Sequence, residues 1–335
     1  LKIVEPLVKW IESAGAFAPW CFLLLFLVAS GLLVWRLEAM SESGFEGTVL
    51  GTLIMPYCSG IGNLIFAFVL GASRDASAGK EVMTNALVNN VTNMTLLIGL
   101  PATFWGMRVM PAGNPRAKKR KSTKPQELNR LSLLLTLVAV LFFSGVIWVL
   151  TRDGKIDFTD GLILIGVFLF WQCFHVFEVL KNNVRQNKSL GWMILVNLAL
   201  LGIGAFAIYV SIEWLVAWST KQSGFIADHQ GWLSGLLMVI PNALLAFYYA
   251  WRGEPEVVYS SQVGDGHICI PLCVGIYALY GTMTLPAFFN MGLFILLGAT
   301  VIHFIFVALI GGLPRFMGVV LTLAYGVFVY KGLIN

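Results

Sequence analysis

The chain has 335 residues, of which 58% are hydrophobic and 12% charged, with a formal net charge of +5 and a mean hydropathy of +0.81. Soluble domains charge about a quarter of their residues, so this composition excludes a soluble globular enzyme or binding domain and predicts an all-α integral membrane protein. The five cysteines, Cys21, Cys58, Cys173, Cys269 and Cys273, lie within or at the edges of apolar runs, which argues against a disulfide framework or a zinc knuckle.

Residues 1–14 mix Lys2, Glu5, Lys9 and Glu12 with apolar positions at helical spacing, which predicts a short interfacial anchor helix. Apolar stretches able to cross about 30 Å of hydrocarbon then fall at 17–36, 47–71, 81–106, 131–151, 158–180, 190–217, 231–251, 256–280, 287–311 and 314–332. These make about ten transmembrane helices. The segment 108–130 holds Arg116, Lys118, Lys119, Arg120, Lys121 and Lys124 against Glu127, and Lys181, Arg185 and Lys188 follow the fifth span. Both basic connections come after odd-numbered spans, so the positive-inside rule predicts a multi-pass cell-membrane protein with cytoplasmic basic loops and both termini outside. In that setting the basic run marks topology and contact with anionic headgroups of the lipid bilayer, not nucleic acid.

The spans divide into two sets of five, and the sets share a pattern. Asn63 and Phe68 in the second span match Asn242 and Phe247 in the seventh, 179 positions on, while Asn85, Asn89 and Asn93 in the third match Ser261, Asp265 and Cys269 in the eighth, 176 positions on. Two matches, in order and in equivalent spans, predict an internal repeat. An odd number of spans per repeat makes the copies inverted. The first is 1–180, with the amphipathic segment and the basic loop 108–130, and the second is 181–335.

Residues four apart share a helix face, so Asn85, Asn89 and Asn93 form a polar stripe that must meet protein or water. Carboxamide oxygens are hard ligands for a cation; the alternative use of such a stripe is hydrogen bonding between membrane helices. Asp265, in Gln262-Val-Gly-Asp-Gly-His267, is the one acid well inside a central span, and an intramembrane carboxylate marks a functional site by default. Asn63, Asn85, Asn89, Asn93, Asn242, Ser261, Asp265 and Cys269 are therefore the candidate ion-binding set, with His267, Thr92 and Gln262 as a second tier. Pro56 and Pro241, which precede the two Asn-bearing half-spans, are expected to kink or break their helices and free backbone carbonyls.

This arrangement resembles the calcium/cation antiporter superfamily, which includes the sodium/calcium exchangers. Gly62-Asn63 is similar to the Gly-Asn form of its signature, Asn89 with Asn93 falls where the next motif has Ser and Asn, and Gly264-Asp265 with Cys269 takes that place in the second half. The resemblance implies ten helices in two inverted five-helix repeats and a secondary active cation antiporter working by alternating access around a midplane polar site. It implies no cofactor and no protein partner, with sodium, potassium, calcium or protons as the transported cations, unranked. The family's two signature glutamates fall on Phe66 and Leu245 in one frame and on Asn63 and Asn242 in the other, so neither frame supplies a carboxylate. At an effective dielectric of ~20, each such loss forfeits on the order of 10 kcal/mol of attraction for a divalent ion before desolvation. A monovalent cation or proton coupling is thus favoured over a typical calcium site. The alternative is a membrane scaffold or sensor that keeps the fold without transport. An intramembrane hydrolase built on Ser261, Asp265 and His267 is disfavoured, because His267 lies on a different helix face from Ser261.

Overall fold

The computed structural model describes residues 5–42, 57, 60–73, 78–109, 124–183 and 192–334; Pro56, Cys58 and the basic residues between 110 and 123 lie outside the described residues. Its helices are α1 (Glu5–Glu12), α2 (Ala18–Glu42), α3 (Ile61–Ser73), α4 (Ala78–Phe104), α5 (Lys124–Leu150), α6 (Phe158–Asn183), α7 (Met193–Ser219), α8 (Gln230–Arg252), α9 (Pro255–Ile268), α10 (Phe289–Ile310) and α11 (Arg315–Val329). α9 continues through a π-helical segment, Cys269–Cys273, into Val274–Ala278. Short helical turns at Gly15–Phe17, Thr151–Asp153, Phe225–Asp228 and Tyr330–Ile334 and four strands of two residues each complete the set, the strands being β1 (Met107–Arg108), β2 (Lys155–Ile156), β3 (Met283–Thr284) and β4 (Gly312–Leu313).

Among the described residues six segments are long and apolar enough to cross a membrane: Gly15–Met40, Arg130–Asp153, Met193–Ser219, Gln230–Arg252, Phe289–Ile310 and Arg315–Ile334. The chain is an α-helical multi-pass membrane protein. α3 and Phe158–Phe174 are apolar but shorter. α4 has spanning length, yet Asn85, Asn89, Asn90 and Asn93 interrupt its apolar run.

Two compact units form, Leu1–Val69 with Gln172–Gln230 and Leu70–Trp171 with Gly231–Asn335, each drawing on both sequence halves. In the first, α2 and α7 lie against each other so closely that a Cβ on Gly204 would stand 2.9 Å from Leu33 Cδ2, the small-residue contact by which membrane helices approach. Phe22 is buried with Ile11 and Val210 and stacks on Trp214 with ring centroids 4.2 Å apart. Trp214 Nε1 donates to Glu12 Oε1 at 2.8 Å, which ties the amphipathic α1 to α7.

The second unit is organised around α4, whose residues from 82 to 95 are all buried. It packs against α9, α10 and α11, while α5 packs on α9 and α10. Glycines set the closest approaches. A Cβ on Gly318 of α11 would stand 2.5 Å from Gly99 O of α4, and one on Gly161 of α6 would stand 3.0 Å from Gly275 O. β1 pairs antiparallel with β4, Met107 opposite Leu313, and β2 with β3, Ile156 opposite Met283. One rule relates these contacts: positions 99 and 275, like 107 and 283, are 176 apart, and positions 161 and 318, like 156 and 313, are 157 apart. The shift of 176 is the one that carries Asn89 onto Asp265.

One expectation is corrected. Pro241 does not break its helix, since α8 runs unbroken from Gln230 to Arg252 with the proline inside it. In a membrane helix the carbonyl that proline deprives of a donor can be satisfied by neighbouring groups, so the helix persists. The irregular turn lies instead at Cys269–Cys273, around Pro271.

Candidate functional site

α4 supplies the stripe. Helical spacing puts Glu81, Asn85, Asn89 and Asn93 one turn apart on one face. Asn85 Nδ2 donates to Ser234 Oγ at 3.1 Å and to Met238 Sδ at 3.4 Å, both on α8. One turn on, Asn89 Nδ2 donates to Cys269 Sγ at 3.1 Å. Asn90 Nδ2 donates to Gly266 O at 3.3 Å, so α4 and α9 are joined by two amides in succession. Pro271 has no N–H for the carbonyls one turn before it, and Gly266, in that turn, receives the Asn90 amide instead.

α9 and α8 supply the charge and its support. Asp265 is 1% exposed, and its Oδ2 accepts from Asn242 Nδ2 of α8. Gln262 Nε2 donates to Asn242 O at 3.3 Å and to Ser261 Oγ at 3.2 Å. Asn242 is held from both ends, through its carbonyl by Gln262 and through its amide by Asp265.

The cluster has more free acceptors than free donors among the described residues. The amide nitrogens of Asn85, Asn89, Asn90, Asn242 and Gln262 all donate to acceptors of this unit. The buried oxygens of Asn89, Asn90, Asn93 and Gln262 have no hydrogen-bond partner among the described residues, and neither has the Asn93 amide nitrogen. Each buried acceptor left unsatisfied costs roughly 1–3 kcal/mol, so four of them beside a carboxylate favour an electropositive guest. Among the described residues no group of three or more His, Cys, Asp or Glu is placed to hold a metal ion. Any cation would be met by neutral oxygens and one carboxylate.

Two hydrogen-bonded groups, Asn242 with Gln262 and Asp265 and, one turn on, Asn89 with Cys269, make up the buried set, with Asn93 one turn further along α4. Three candidates stand apart from it. Asn85 turns to α8, Ser261 is only partly buried and meets Gln262, and Thr92 Oγ1 donates to Tyr325 Oη of α11 at 3.5 Å. Asn63 is buried in the other compact unit, its Oδ1 without a hydrogen-bond partner among the described residues. The side chain of His267 lies outside the described ones. Sequence reasoning missed Asn90, whose signal was only its place beside Asn89, and Glu81, which continues the four-residue spacing of the stripe by one turn. Ser234 and Met238 carried no signal of their own.

A second layer supports the stripe. His303 is fully buried on α10, with Nε2 2.8 Å from Met94 O and Nδ1 3.3 Å from Tyr259 Oη. A carbonyl only accepts, so Nε2 carries the proton; in the neutral ring Nδ1 then accepts from the tyrosine. The histidine is a satisfied core group joining α9, α10 and α4 beside Asn93.

Residues 15–177 match the family described as sodium/calcium exchanger protein. The fold matches solved structures of the sodium-calcium exchanger NCX_Mj. One, soaked with 10 mM Na+ and zero Ca2+, has a TM-score of 0.62 and 17% identity over 93% of this chain and 98% of that one. Another, soaked with 2.5 mM Na+ and 10 mM Sr2+, gives 0.61 and 17% over 92% and 96%. A third, soaked with 2.5 mM Na+ and 0.1 mM Ca2+, gives 0.59 and 18% over 92% and 95%. No curated relative matches by sequence. The resemblance to the calcium/cation antiporter superfamily is borne out.

Proposed function

Since the chain is a sodium/calcium exchanger-like membrane protein, we propose that it is a secondary active cation antiporter, working by alternating access around the amide and carboxylate cluster of α4, α8 and α9. The carrying observation is the polarity of that cluster: the amide nitrogens of Asn89, Asn90, Asn242 and Gln262 are engaged, four amide oxygens have no donor among the described residues, and one acid is buried with them. Asn89, Asn93, Asn242, Gln262 and Asp265 hold the cation in this reading, with Cys269 orienting the Asn89 amide. Asn63, in the other compact unit, stays a candidate only through its sequence match with Asn242.

The reading includes ten spanning helices in two inverted repeats, 1–180 and 181–335. What supports it is that both ladders and both glycine contacts obey the same pair of sequence shifts. Basic loops in the cytoplasm and termini outside follow from the charge pattern. One carboxylate balances a single positive charge, which favours a monovalent cation or proton coupling over the calcium site of a typical member.

The test has two arms. Purified protein is screened for a thermal shift with sodium, potassium, calcium and protons, since a ligand of the folded form stabilises it by mass action. Proteoliposomes are then assayed for flux of the responding ion against an opposing gradient. A thermal response with coupled flux is expected; no response to any of these cations favours the scaffold instead.

A further inference from the structure

The stripe on α4 extends one turn beyond its amides, to Glu81, and there it meets the beginning of α8. Glu81 Oε2 accepts the backbone N–H of Gly231 at 2.6 Å. That N–H is one of the first four of α8, which have no partner within the helix, and the helix start is the positive end of its dipole. Below this bond the seam between α4 and α8 is closed by contact. A Cβ on Gly231 would stand 2.5 Å from Glu81 O and 2.7 Å from Thr84 Cβ. One on Gly235, a turn further, would stand 2.9 Å from Val88 Cβ and 3.1 Å from Asn85 O. Asn85 then bonds Ser234 and Met238, and the next polar groups down the same two helices are Asn89 and Asn242, the site itself. Glycine at 231 and 235 lets the backbones touch, so nothing of ion size passes along this seam while the helices stay together.

We infer that Glu81 is the latch of this seam: its hydrogen bond to Gly231 holds α8 on α4 over the site, and cation access from that end requires the bond to break. The inference rests on the transporter reading for its purpose, but its geometry does not. Glu81 is a positioning residue here, acting through α8 and not by touching the cation.

The test uses Cys269 as the reporter, because it is buried and accepts from Asn89 in the site. In protein with Cys21, Cys58, Cys173 and Cys273 replaced by serine, reconstituted in proteoliposomes, the labelling rate of Cys269 by a membrane-impermeant methanethiosulfonate is followed by mass spectrometry, with reagent on each face in turn. Glu81→Ala removes the acceptor and is expected to speed labelling from one face only, by about tenfold or more, as loss of a charge-assisted hydrogen bond implies. Glu81→Gln keeps an acceptor oxygen and is expected to stay within about threefold of the parent rate. A disulfide formed in Asn85→Cys/Ser234→Cys should suppress labelling from that same face until it is reduced, which keeps the test decisive if Glu81→Ala fails to fold. An unchanged rate in Glu81→Ala, an equal rise in both Glu81 variants, or undiminished labelling through the locked seam overturns the latch. Labelling needs no ion flux, so a latch that responds in a protein moving no cation defeats the transport reading and leaves this one standing.

Discussion

α4 and α9 occupy matching places under the 176-residue shift, and they differ in chemistry while sharing a pattern of packing. Each makes a glycine-to-glycine contact with a later or earlier helix, and each leads into a strand that pairs across the sequence halves. Yet α4 runs unbroken from Ala78 to Phe104 and carries four asparagines, whereas α9 carries one buried acid and ends at Ile268 in a π turn that holds two buried thiols. The framework is constrained by contacts that tolerate no added atom. The polar cluster is under no such contact, and its charge stands on one side, at Asp265, with a neutral amide at the matching Asn89.

Moving or removing that charge should give the largest effect. At about 4 Å and an effective dielectric of ~20 a unit charge pair is worth about 4 kcal/mol, and 1.4 kcal/mol is tenfold in affinity. Asp265→Asn should therefore weaken cation binding by about two to three orders of magnitude, read as loss of the cation-dependent thermal shift and of flux. Asn89→Asp puts a second carboxylate at the equivalent position. It should turn the preference toward divalent ions, because two buried acids repel until a doubly charged guest separates them. If Asn89→Asp leaves the ion ranking unchanged while Asp265→Asn abolishes binding, the two positions do not face a common ion.

The packing framework predicts a smaller, symmetric effect. Gly318→Ala drives a methyl to 2.5 Å from Gly99 O, and Gly161→Ala drives one to 2.7 Å from Ala278 Cβ and 3.0 Å from Gly275 O. Each should destabilise by about 1–3 kcal/mol through overpacking, seen as a lower thermal midpoint. Gly145→Ala and Gly166→Ala, where nothing lies within 4 Å of the added carbon, should be neutral or slightly stabilising, as alanine is the better helix former. Equal behaviour of all four would mean that the glycine contacts do not carry the fold.

The helical character and the site's two halves were legible because burial in a membrane leaves few reasons for an amide, and those it has repeat at helical spacing. Asn89, Asn93, Asn242, Asp265 and Cys269 could be named from spacing alone. What spacing does not carry is direction across helices. It gave no sign that Asn85 would turn to Ser234 on α8 or that Asn90 would take a backbone carbonyl. Glu81 sat at the expected edge of a span, where an acid is unremarkable, and its bond to Gly231 depends on α8 beginning beside it. Pro241 misled for a related reason: its ring is absorbed by an unbroken helix, while Pro271, in a run read as ordinary span, lies in the π turn.

The smallest effect bears most directly on the relation between the two helices. Asn90 and Gly266 are 176 positions apart, which makes them equivalent in the proposed repeat, and they touch each other through Asn90 Nδ2 and Gly266 O at 3.3 Å. Equivalent residues in contact must lie near the axis that relates the copies. If so, the amide can be supplied from either side. Asn90→Gly should lose about 1 kcal/mol from the missing hydrogen bond and about as much again from a glycine in a helix interior. Adding Gly266→Asn should recover most of it, because the new amide can donate to the carbonyl of residue 90, and a Cβ at 266 meets nothing nearer than Val140 Cγ2 at 3.4 Å. Chemical denaturation of the single and double variants measures the difference. Recovery in the double variant would place the axis between these two residues, and a double variant no more stable than Asn90→Gly would show that the repeat relates the helices without relating this contact.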